Sequence, residues 1–306
     1  MDYQHLIDTA LALGCTVTEN APMSAHTTFK IGGPADLLID LPDGNAAAGV
    51  IRLCKQEGIP YLFIGNGSNL LVGDKGIRGA VLRLAERDAT PVLQPELGEG
   101  VLYAPAGMQL KKLCQFVRDH HFTGLEFAFG IPGTVGGAVY MNAGAYGGEM
   151  ADVVQLAHCI TPDGEMGFLP ASELKFGYRH SALMDMGYIV TGITLKLTPG
   201  DYDTIASTMK DLMNRRREKQ PLEYPSAGSF FKRPTGYFAG KLIEDAGLKG
   251  FSVGDAQVSE KHAGFVVNRG AATAADMVEL CRQVQNKIME KDGVLLEPEV
   301  RFVGEF

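Results

Sequence analysis

The chain has 306 residues, of which 45% are hydrophobic and 21% charged, with a formal net charge of -8. That length exceeds what one growing hydrophobic core serves, so more than one domain is expected, and the composition excludes a disordered or fibrous chain. The acidic balance disfavours non-specific nucleic-acid binding, so an anionic ligand must be met by a local cluster of Lys, Arg or backbone N–H groups.

The first residues, Met1 to Gly14, carry Asp2 and Asp8 and no basic start followed by an apolar run. No later stretch reaches the ~20 apolar residues of a membrane span, so neither export nor an anchor is expected and the location is read as cytoplasmic. Cys15, Cys54, Cys114, Cys159 and Cys281 are odd in number, scattered, and without CxxC or Cys/His spacing. They read as reduced, mostly buried thiols, and no metal site is expected.

Ala47, Val50, Ile51 and Cys54 follow helical spacing, and Tyr61 to Ile64 reads as a short buried strand. The segment Ile64-Gly65-Asn66-Gly67-Ser68-Asn69 follows it directly. Glycine lets backbone N–H groups converge on an anion, so this loop suits a pyrophosphate; a tight surface turn explains the same residues equally well. It lacks the third glycine of a Rossmann fingerprint. Met108 to His121 is amphipathic, with Leu110, Leu113, Phe116 and Val117 inward.

Gly124 to Gly148 holds more glycine than a helix or strand interior tolerates. Its apolar residues between glycines suit close approach to an apolar ring system, an explanation weighted above Gly-on-Gly packing. Tyr188 to Leu197 alternates as a strand, with Ile189, Ile193, Leu195 and Leu197 on one face, and a Pro199-Gly200 turn closes the region. Asp201 to Gln220 is a helix whose Arg215, Arg216, Arg217 and Lys219 form a solvated, cationic C-terminal end. Ala274 to Met289 is helical, with Met277, Leu280, Val284 and Ile288 in register, and Glu297 to Val303 reads as a final strand. Boundaries near Leu84 and Gly200 divide the chain into 1–84, 85–200 and 201–306.

Three segments together, Ala25 to Ala35 (Ala-His-Thr-Thr-Phe-Lys-Ile-Gly-Gly-Pro-Ala), Gly65 to Val72, and Gly124 to Gly148, resemble the successive signatures of the UDP-N-acetylenolpyruvoylglucosamine reductases. The resemblance implies an α+β chain: a two-lobed FAD-binding fold of the vanillyl-alcohol-oxidase type, with lobes at 1–84 and 85–200, and a C-terminal α/β substrate-binding domain at 201–306. It implies NADPH-dependent reduction of UDP-N-acetylglucosamine enolpyruvate to UDP-N-acetylmuramate, in peptidoglycan precursor synthesis, through noncovalent FAD. His26 has no cysteine partner motif that would suggest covalent attachment. By the same resemblance the FAD pyrophosphate falls at Ile64, Gly65, Asn66, Gly67, Ser68 and Asn69. The isoalloxazine falls near Gly130, Ile131, Pro132, Gly133, Gly136, Gly137, Ala138, Asn142, Ala143 and Gly144. The chain looks like the shorter subgroup, without a tyrosine-bearing insertion.

Reduction of an enolpyruvyl ether needs hydride delivery, stabilisation of developing negative charge, and a proton donor. The family's motifs, here Phe176 to Ser181, Ala227 to Pro234 and Leu296 to Arg301, place the catalytic roles on Arg179, Ser229 and Glu299. Alone, these residues read as a surface ion pair, a turn and an ion pair with Arg301. Arg179 is expected to hold the substrate carboxylate and Ser229 to donate the proton, with Lys232 as a helper. Glu297, two residues before Glu299, would share its strand face. Where the family commonly has Lys-Asn-Pro this chain has Lys232-Arg233-Pro234. For the rest of the substrate, Tyr178, Lys232, Tyr237, Lys249, Gln257, His262 and Asn268 are the candidate contacts, with Lys241 and Lys261 as further cations. A monomer with no nucleic-acid or membrane partner is expected. The alternatives are another oxidoreductase of the same FAD fold, acting on an alcohol or sugar, and a flavin-binding module without turnover.

Overall fold

The computed structural model describes residues 2–86 and 89–306. The chain forms two compact units, each assembled from three separate segments: Met1–Glu19, Leu37–Asn66 and Gly79–Asn214 in the first, Asn20–Asp36, Gly67–Arg78 and Arg215–Phe306 in the second. Secondary structure is mixed, with helices and strands in both.

In the first unit a five-stranded sheet runs in the order Met166–Pro170, Val154–Ile160, Ile189–Lys196, Val101–Pro105, Val92–Leu93. The pairing is antiparallel throughout, with Ile193 opposite both Ala157 and Ala104. The central strand Ile189–Lys196 is buried along all but its last residue. The one-faced alternation expected for it is therefore replaced by burial on both faces, as happens when a sheet is covered from both sides. The short helix Val135–Tyr140 lies against this strand.

The helix Gly44–Glu57 forms where its periodicity predicted it, burying Ala47, Val50, Ile51 and Cys54. Asp43 caps its start by accepting the Ala46 N–H at 2.9 Å, and Gly58 ends it in the left-handed region at φ 66°. The helix Leu110–Asp119 buries Leu110, Leu113, Cys114 and Val117, while Phe116 is half-buried and stacks on His120. One continuous core joins these elements through Leu41, Ile51, Leu102, Leu113 and Ile193, and each such side chain contributes about 1.5–3 kcal/mol by leaving water. Strand Tyr61–Phe63 pairs in parallel with Ala80–Leu82, and the Ile64 N–H continues the ladder to the Leu82 carbonyl at 2.9 Å. The glycine loop thus leaves the end of a fixed strand.

In the second unit the antiparallel sheet order is Ser226–Ser229, Phe265–Asn268, Ala256–Val258, Ser252–Val253. The helix Ala274–Asp292 buries Met277, Leu280, Cys281, Val284 and Ile288. A reciprocal capping box of Thr273 and Asp276 starts it, and the distant Asp74 accepts the Ala274 and Ala275 N–H groups at 2.8 and 2.9 Å.

The expected strand Glu297 to Val303 is shorter: only Arg301–Val303 forms a ladder, in parallel with Leu70–Val72. Pro298 has no N–H to give, and Glu297 to Val300 instead runs beside Phe230 to Lys232 through two bonds. The Lys232 N–H reaches the Glu297 carbonyl and the Glu299 N–H reaches the Phe230 carbonyl, each at 2.8 Å. Phe302 is 38% exposed although Val300, two residues before it, is buried. No helix among the described residues is long and apolar enough to cross a membrane.

Candidate functional site

The two glycine segments, distant in sequence, meet in the first unit. The Asn66 amide Nδ2 donates to the Pro132 carbonyl at 2.8 Å. A Cβ on Gly65 would sit 2.5 Å from the Thr134 hydroxyl, so only glycine fits there. That hydroxyl is committed in turn: Thr134 is the cap of helix Val135–Tyr140 and accepts the Gly137 N–H at 3.2 Å.

Past Ile64 the backbone changes character. Among the described residues, the N–H groups of Gly65, Asn66, Gly67 and Ser68 donate to no protein acceptor. Four successive N–H donors in one short loop are suited to a polyanion such as a pyrophosphate, because none is matched to a protein acceptor. Gly67 has φ 62°, and a Cβ on it would lie 2.2 Å from the His26 carbonyl oxygen. In the second unit the Thr28 hydroxyl is buried without a partner, and the Thr28 N–H donates to the Gly67 carbonyl at 3.3 Å. An unsatisfied buried hydroxyl on a residue bonded to Gly67 of the same unit fits a polar ligand group there. The residues present therefore suit the diphosphate of a dinucleotide cofactor. The resemblance had not marked Thr28 or Thr134 individually; Thr134, set before Val-Gly-Gly, carried a helix-start signal.

In the second glycine segment, Gly136 packs on Ala106, where a Cβ would come within 2.7 Å of the Ala106 Cβ, and Gly148 packs equally closely on Phe127. Gly133 faces more open space: a Cβ would meet only the Ile131 methyl, at 4.0 Å. Asn142 is fully buried with φ 43°. Its side chain donates to the Gly177 carbonyl at 3.0 Å and accepts the Ala151 N–H at 3.0 Å.

Arg179 occupies the tip of a tight turn closed by mutual backbone bonds between Gly177 and His180, at 3.0 and 3.2 Å. Its own φ is 54°, its Nη2 donates to the Gly144 carbonyl at 3.2 Å, and its guanidinium lies 5.2 Å from the centre of the exposed Tyr178 ring.

In the second unit Ser229 ends a sheet strand, opposite Phe265, and Glu299 lies one residue from it across the Phe230 bond just described. The Glu299 carbonyl also accepts from the Asn69 side chain at 3.1 Å. Glu299 is partly enclosed, whereas the Glu297 carboxylate is 65% exposed and pairs with Lys232 at 3.2 Å. Enclosure separates two carboxylates that a strand pattern had left on one face.

The remaining candidates divide by what already holds them. Tyr237 is exposed, and Arg233 stacks on the exposed Phe238 ring at 4.0 Å. Lys249 pairs with Glu244 at 2.5 Å, Lys241 with Asp245 at 2.5 Å, and Lys261 donates to the Arg217 carbonyl at 2.6 Å. Gln257 donates to Gly250 and Ser252. Asn268 is buried, donates to the Phe29 carbonyl at 3.0 Å, and accepts the Gly270 and Ala272 N–H groups. The His262 Nδ1 accepts the Gly264 N–H at 3.0 Å, and burial pulls its pKa below the usual imidazole value. Among the described residues no cluster of His, Cys, Asp or Glu could hold a metal ion.

Comparison with known proteins matches residues 41–167 to the FAD binding domain family, and residues 220–303 to the C-terminal domain of UDP-N-acetylenolpyruvoylglucosamine reductase. The UDP-N-acetylenolpyruvoylglucosamine reductase of Agathobacter rectalis is 52% identical over 296 residues, covering 94% of each chain. That of Clostridium botulinum is 53% identical over 284 residues, covering 93% of this chain and 91% of its own. The crystal structure of the enzyme of the same name from Thermus caldophilus is 37% identical and superposes with a TM-score of 0.79, over 94% of this chain and 98% of that one. The H104A variant of berberine bridge enzyme, 13% identical with a TM-score of 0.50 over 66% of this chain and 44% of its own, shares the fold alone.

Proposed function

The chain belongs to the UDP-N-acetylenolpyruvoylglucosamine reductase family, and from that premise we propose that Arg179, Ser229 and Glu299 carry its chemistry. It is an FAD-dependent oxidoreductase with the two-lobed flavin fold of the vanillyl-alcohol-oxidase type. It reduces UDP-N-acetylglucosamine enolpyruvate to UDP-N-acetylmuramate with NADPH, in peptidoglycan precursor synthesis.

The observation that carries the cofactor reading is the run of four unpartnered N–H groups, Gly65 to Ser68, on a loop tied by Asn66 to Pro132 in the second glycine segment. When bound, FAD supplies hydride transfer between NADPH and the enolpyruvyl double bond. The N–H groups of the Gly65 to Ser68 loop, with the Thr28 hydroxyl beside Gly67, would hold its diphosphate, and Gly130 to Ala138 with Ala143 and Gly144 would border its ring system. Arg179, permanently charged and planar, pairs with the substrate carboxylate and stabilises the negative charge that develops when hydride adds to the terminal alkene carbon. The Ser229 hydroxyl gives its proton to the neighbouring carbon, so that hydride and proton complete the reduction. Glu299, beside Ser229, acts with it at the same substrate atoms. The exposed Tyr178 and Tyr237 rings and Lys232, Lys249, Gln257, His262 and Asn268 are proposed as the lining of the rest of the substrate site. The chain is read as lobes at 1–84 and 85–200 and a substrate domain at 201–306; the C-terminal family match at 220–303 falls within the last of these, and segments 20–36 and 67–78 join that region in the second compact unit. A cytoplasmic monomer without nucleic-acid or membrane partners completes the reading.

The test separates the half-reactions. Under anaerobic conditions the purified protein is reduced with NADPH and then mixed with UDP-N-acetylglucosamine enolpyruvate while flavin absorbance is followed. Rapid reoxidation with formation of UDP-N-acetylmuramate is expected. Ser229→Ala is expected to keep reduction by NADPH and to slow reoxidation by about 10²–10⁴. A Ser229→Ala protein that reoxidises at the unaltered rate overturns the assignment of Ser229. Reduction without any reoxidation in the unsubstituted protein selects a flavin module or another oxidoreductase instead.

A further inference from the structure

We propose that Asn142 is a positioning residue for Arg179, and that the five residues Tyr140 to Gly144 form a clamp on the arginine turn. The inference rests on the reading of Arg179 as the group that holds the substrate carboxylate.

Three bonds, all within the first unit, define the clamp. The Tyr140 carbonyl accepts from the Ser181 hydroxyl at 2.7 Å, on one side of the turn. On the other side, the Asn142 Nδ2 donates to the Gly177 carbonyl at 3.0 Å. Between them the Gly144 carbonyl accepts from the Arg179 guanidinium at 3.2 Å. Gly177 and His180 close the turn on each other, so fixing Gly177 and Ser181 fixes both ends of a loop whose only intervening residues besides His180 are Tyr178 and Arg179.

Burial makes the clamp rigid. Asn142 and Ser181 are both fully buried, so neither has water as an alternative partner. Asn142 is itself held at its other end, because its Oδ1 accepts the Ala151 N–H at 3.0 Å. The backbone adds a second sign of constraint. Arg179 at φ 54° sits in the left-handed region, which disfavours a residue with a long side chain, whereas Asn142 at φ 43° is of a type that tolerates it. Arg179 holds that conformation only because its surroundings impose it. A long cation freed from the turn would sample many rotamers, and holding a planar guanidinium against a planar carboxylate demands one.

Asn142 thereby has a role distinct from contact with the cofactor. Its amide donor and acceptor are directed to Gly177 and Ala151, and its full burial separates it from solvent. Cofactor contact and arginine positioning therefore predict different half-reactions.

The experiment is a double-mutant cycle on the intact protein with FAD bound, read by anaerobic stopped-flow. Asn142→Gly tolerates the positive φ and removes both side-chain bonds. Ser181→Ala releases the other end of the turn and is the second, independent variant should Asn142→Gly fail to fold; retained FAD content and thermal midpoint report folding. Each variant is expected to retain FAD and to be reduced by NADPH within about twofold of the unsubstituted rate, and to be reoxidised by the enolpyruvyl substrate about 10–100-fold more slowly, the effect of losing one buried hydrogen bond. In an Arg179→Ala background the same substitutions are expected to change reoxidation by less than about threefold, because the group they position is gone. Equal slowing with and without Arg179 overturns the proposal, as does loss of FAD binding or of the NADPH step in both variants. If Arg179→Ala alone leaves reoxidation unaltered, the failure lies in the catalytic reading of Arg179 rather than in the clamp.

Discussion

Replacing Gly67 by alanine tests whether the loop after Ile64 is shaped for a ligand or is only a turn. Gly67 has φ 62°, and a Cβ there would lie 2.2 Å from the His26 carbonyl oxygen and 3.0 Å from the Thr27 Cα. Gly58, which ends the helix Gly44–Glu57, has almost the same φ of 66°, and a Cβ there meets nothing within 4 Å. Gly58→Ala therefore measures the left-handed penalty alone, about 1–2 kcal/mol. Gly67→Ala carries that penalty and a steric one. A carbon–oxygen contact settles near ~3.3 Å, so the loop or the His26 backbone must shift by about 1 Å. The Thr28 N–H bond to the Gly67 carbonyl, already 3.3 Å, is then lost or lengthened, at about 1 kcal/mol. The sum is at least about 2–3 kcal/mol, and its steric part moves the N–H groups that would hold a diphosphate. The assay is FAD affinity by flavin fluorescence, with the thermal midpoint measured with and without added FAD. Gly58→Ala is expected to lower the midpoint by a few degrees while leaving affinity unaltered; Gly67→Ala is expected to weaken FAD binding by about 100-fold and so to lose the FAD-dependent rise in midpoint. Unaltered FAD affinity in Gly67→Ala would refute the reasoning, whatever its stability.

Two glycines of the second segment make a parallel pair: Gly136→Ala is expected to destabilise the apoprotein, because a Cβ would be 2.7 Å from that of Ala106. Gly133→Ala is expected to leave the apoprotein midpoint unaltered and to lower only FAD affinity, which a titration of the folded apoprotein checks. Asp74→Ala removes both acceptors for the Ala274 and Ala275 N–H groups and should cost about 1–2 kcal/mol, read as a lower denaturant midpoint with an unaltered slope. Burial holds the His262 pKa below its ordinary value of 6.5, so the unfolded chain takes up the proton first. The stability tied to neutral His262 is thus complete above about pH 6.5 and is lost as pH falls below it, toward the depressed folded value. Between about pH 7.5 and 5.5 the midpoint of His262→Asn should fall less steeply than that of the unsubstituted protein, and equal slopes would exclude His262 as a contributor.

Helices were legible because their signal is local. The buried faces of Gly44–Glu57 and Ala274–Asp292 follow from 3.6-residue spacing over a few turns, and the structure buries the residues expected. The strands were less legible. Ile189–Lys196 lies between two partners and is buried on both faces, so its apparent alternation described one face of a strand that has no exposed one. Glu297 to Val303 reads as one strand in composition, but Pro298 cannot donate, and the partner of its first half is Phe230 to Lys232, some 65 residues away. No periodicity encodes a partner that distant. The second unit is likewise gathered from 20–36, 67–78 and the chain's last third, an interleaving without a local signature. At the candidate site, motif resemblance supplied Arg179, Ser229 and Glu299 as single residues. What it could not supply was the enclosure that distinguishes Glu299 from Glu297, or the commitment of Asn268 and Gln257 to backbone and side-chain partners.

The glycines of the second segment show why composition alone leaves function open. A glycine-rich stretch signals that something passes close to the backbone, but a protein atom passes as close as a ligand does. At Gly136 the neighbour is Ala106, at Gly148 it is Phe127, and at Gly144 it is Glu149. Those three glycines are required by packing even before a cofactor is considered. Gly65 also meets a protein atom, the Thr134 hydroxyl, yet that contact draws the first glycine segment against the second. Close-packed glycines and the glycine loop are thus parts of one device: the Gly65 contact brings two loops within a hydrogen bond of each other, at Asn66 and Pro132, and the loop leaves N–H groups without a protein acceptor among the described residues. The same economy extends to Arg179, whose turn is held by Tyr140, Asn142 and Gly144 from the end of the glycine segment. On the proposed roles, a single stretch of backbone would border the cofactor and grip the substrate-binding cation, coupling the position of one to that of the other. A substitution there is expected to disturb both unless, as at Asn142, the side chain's bonds run to the turn and to Ala151.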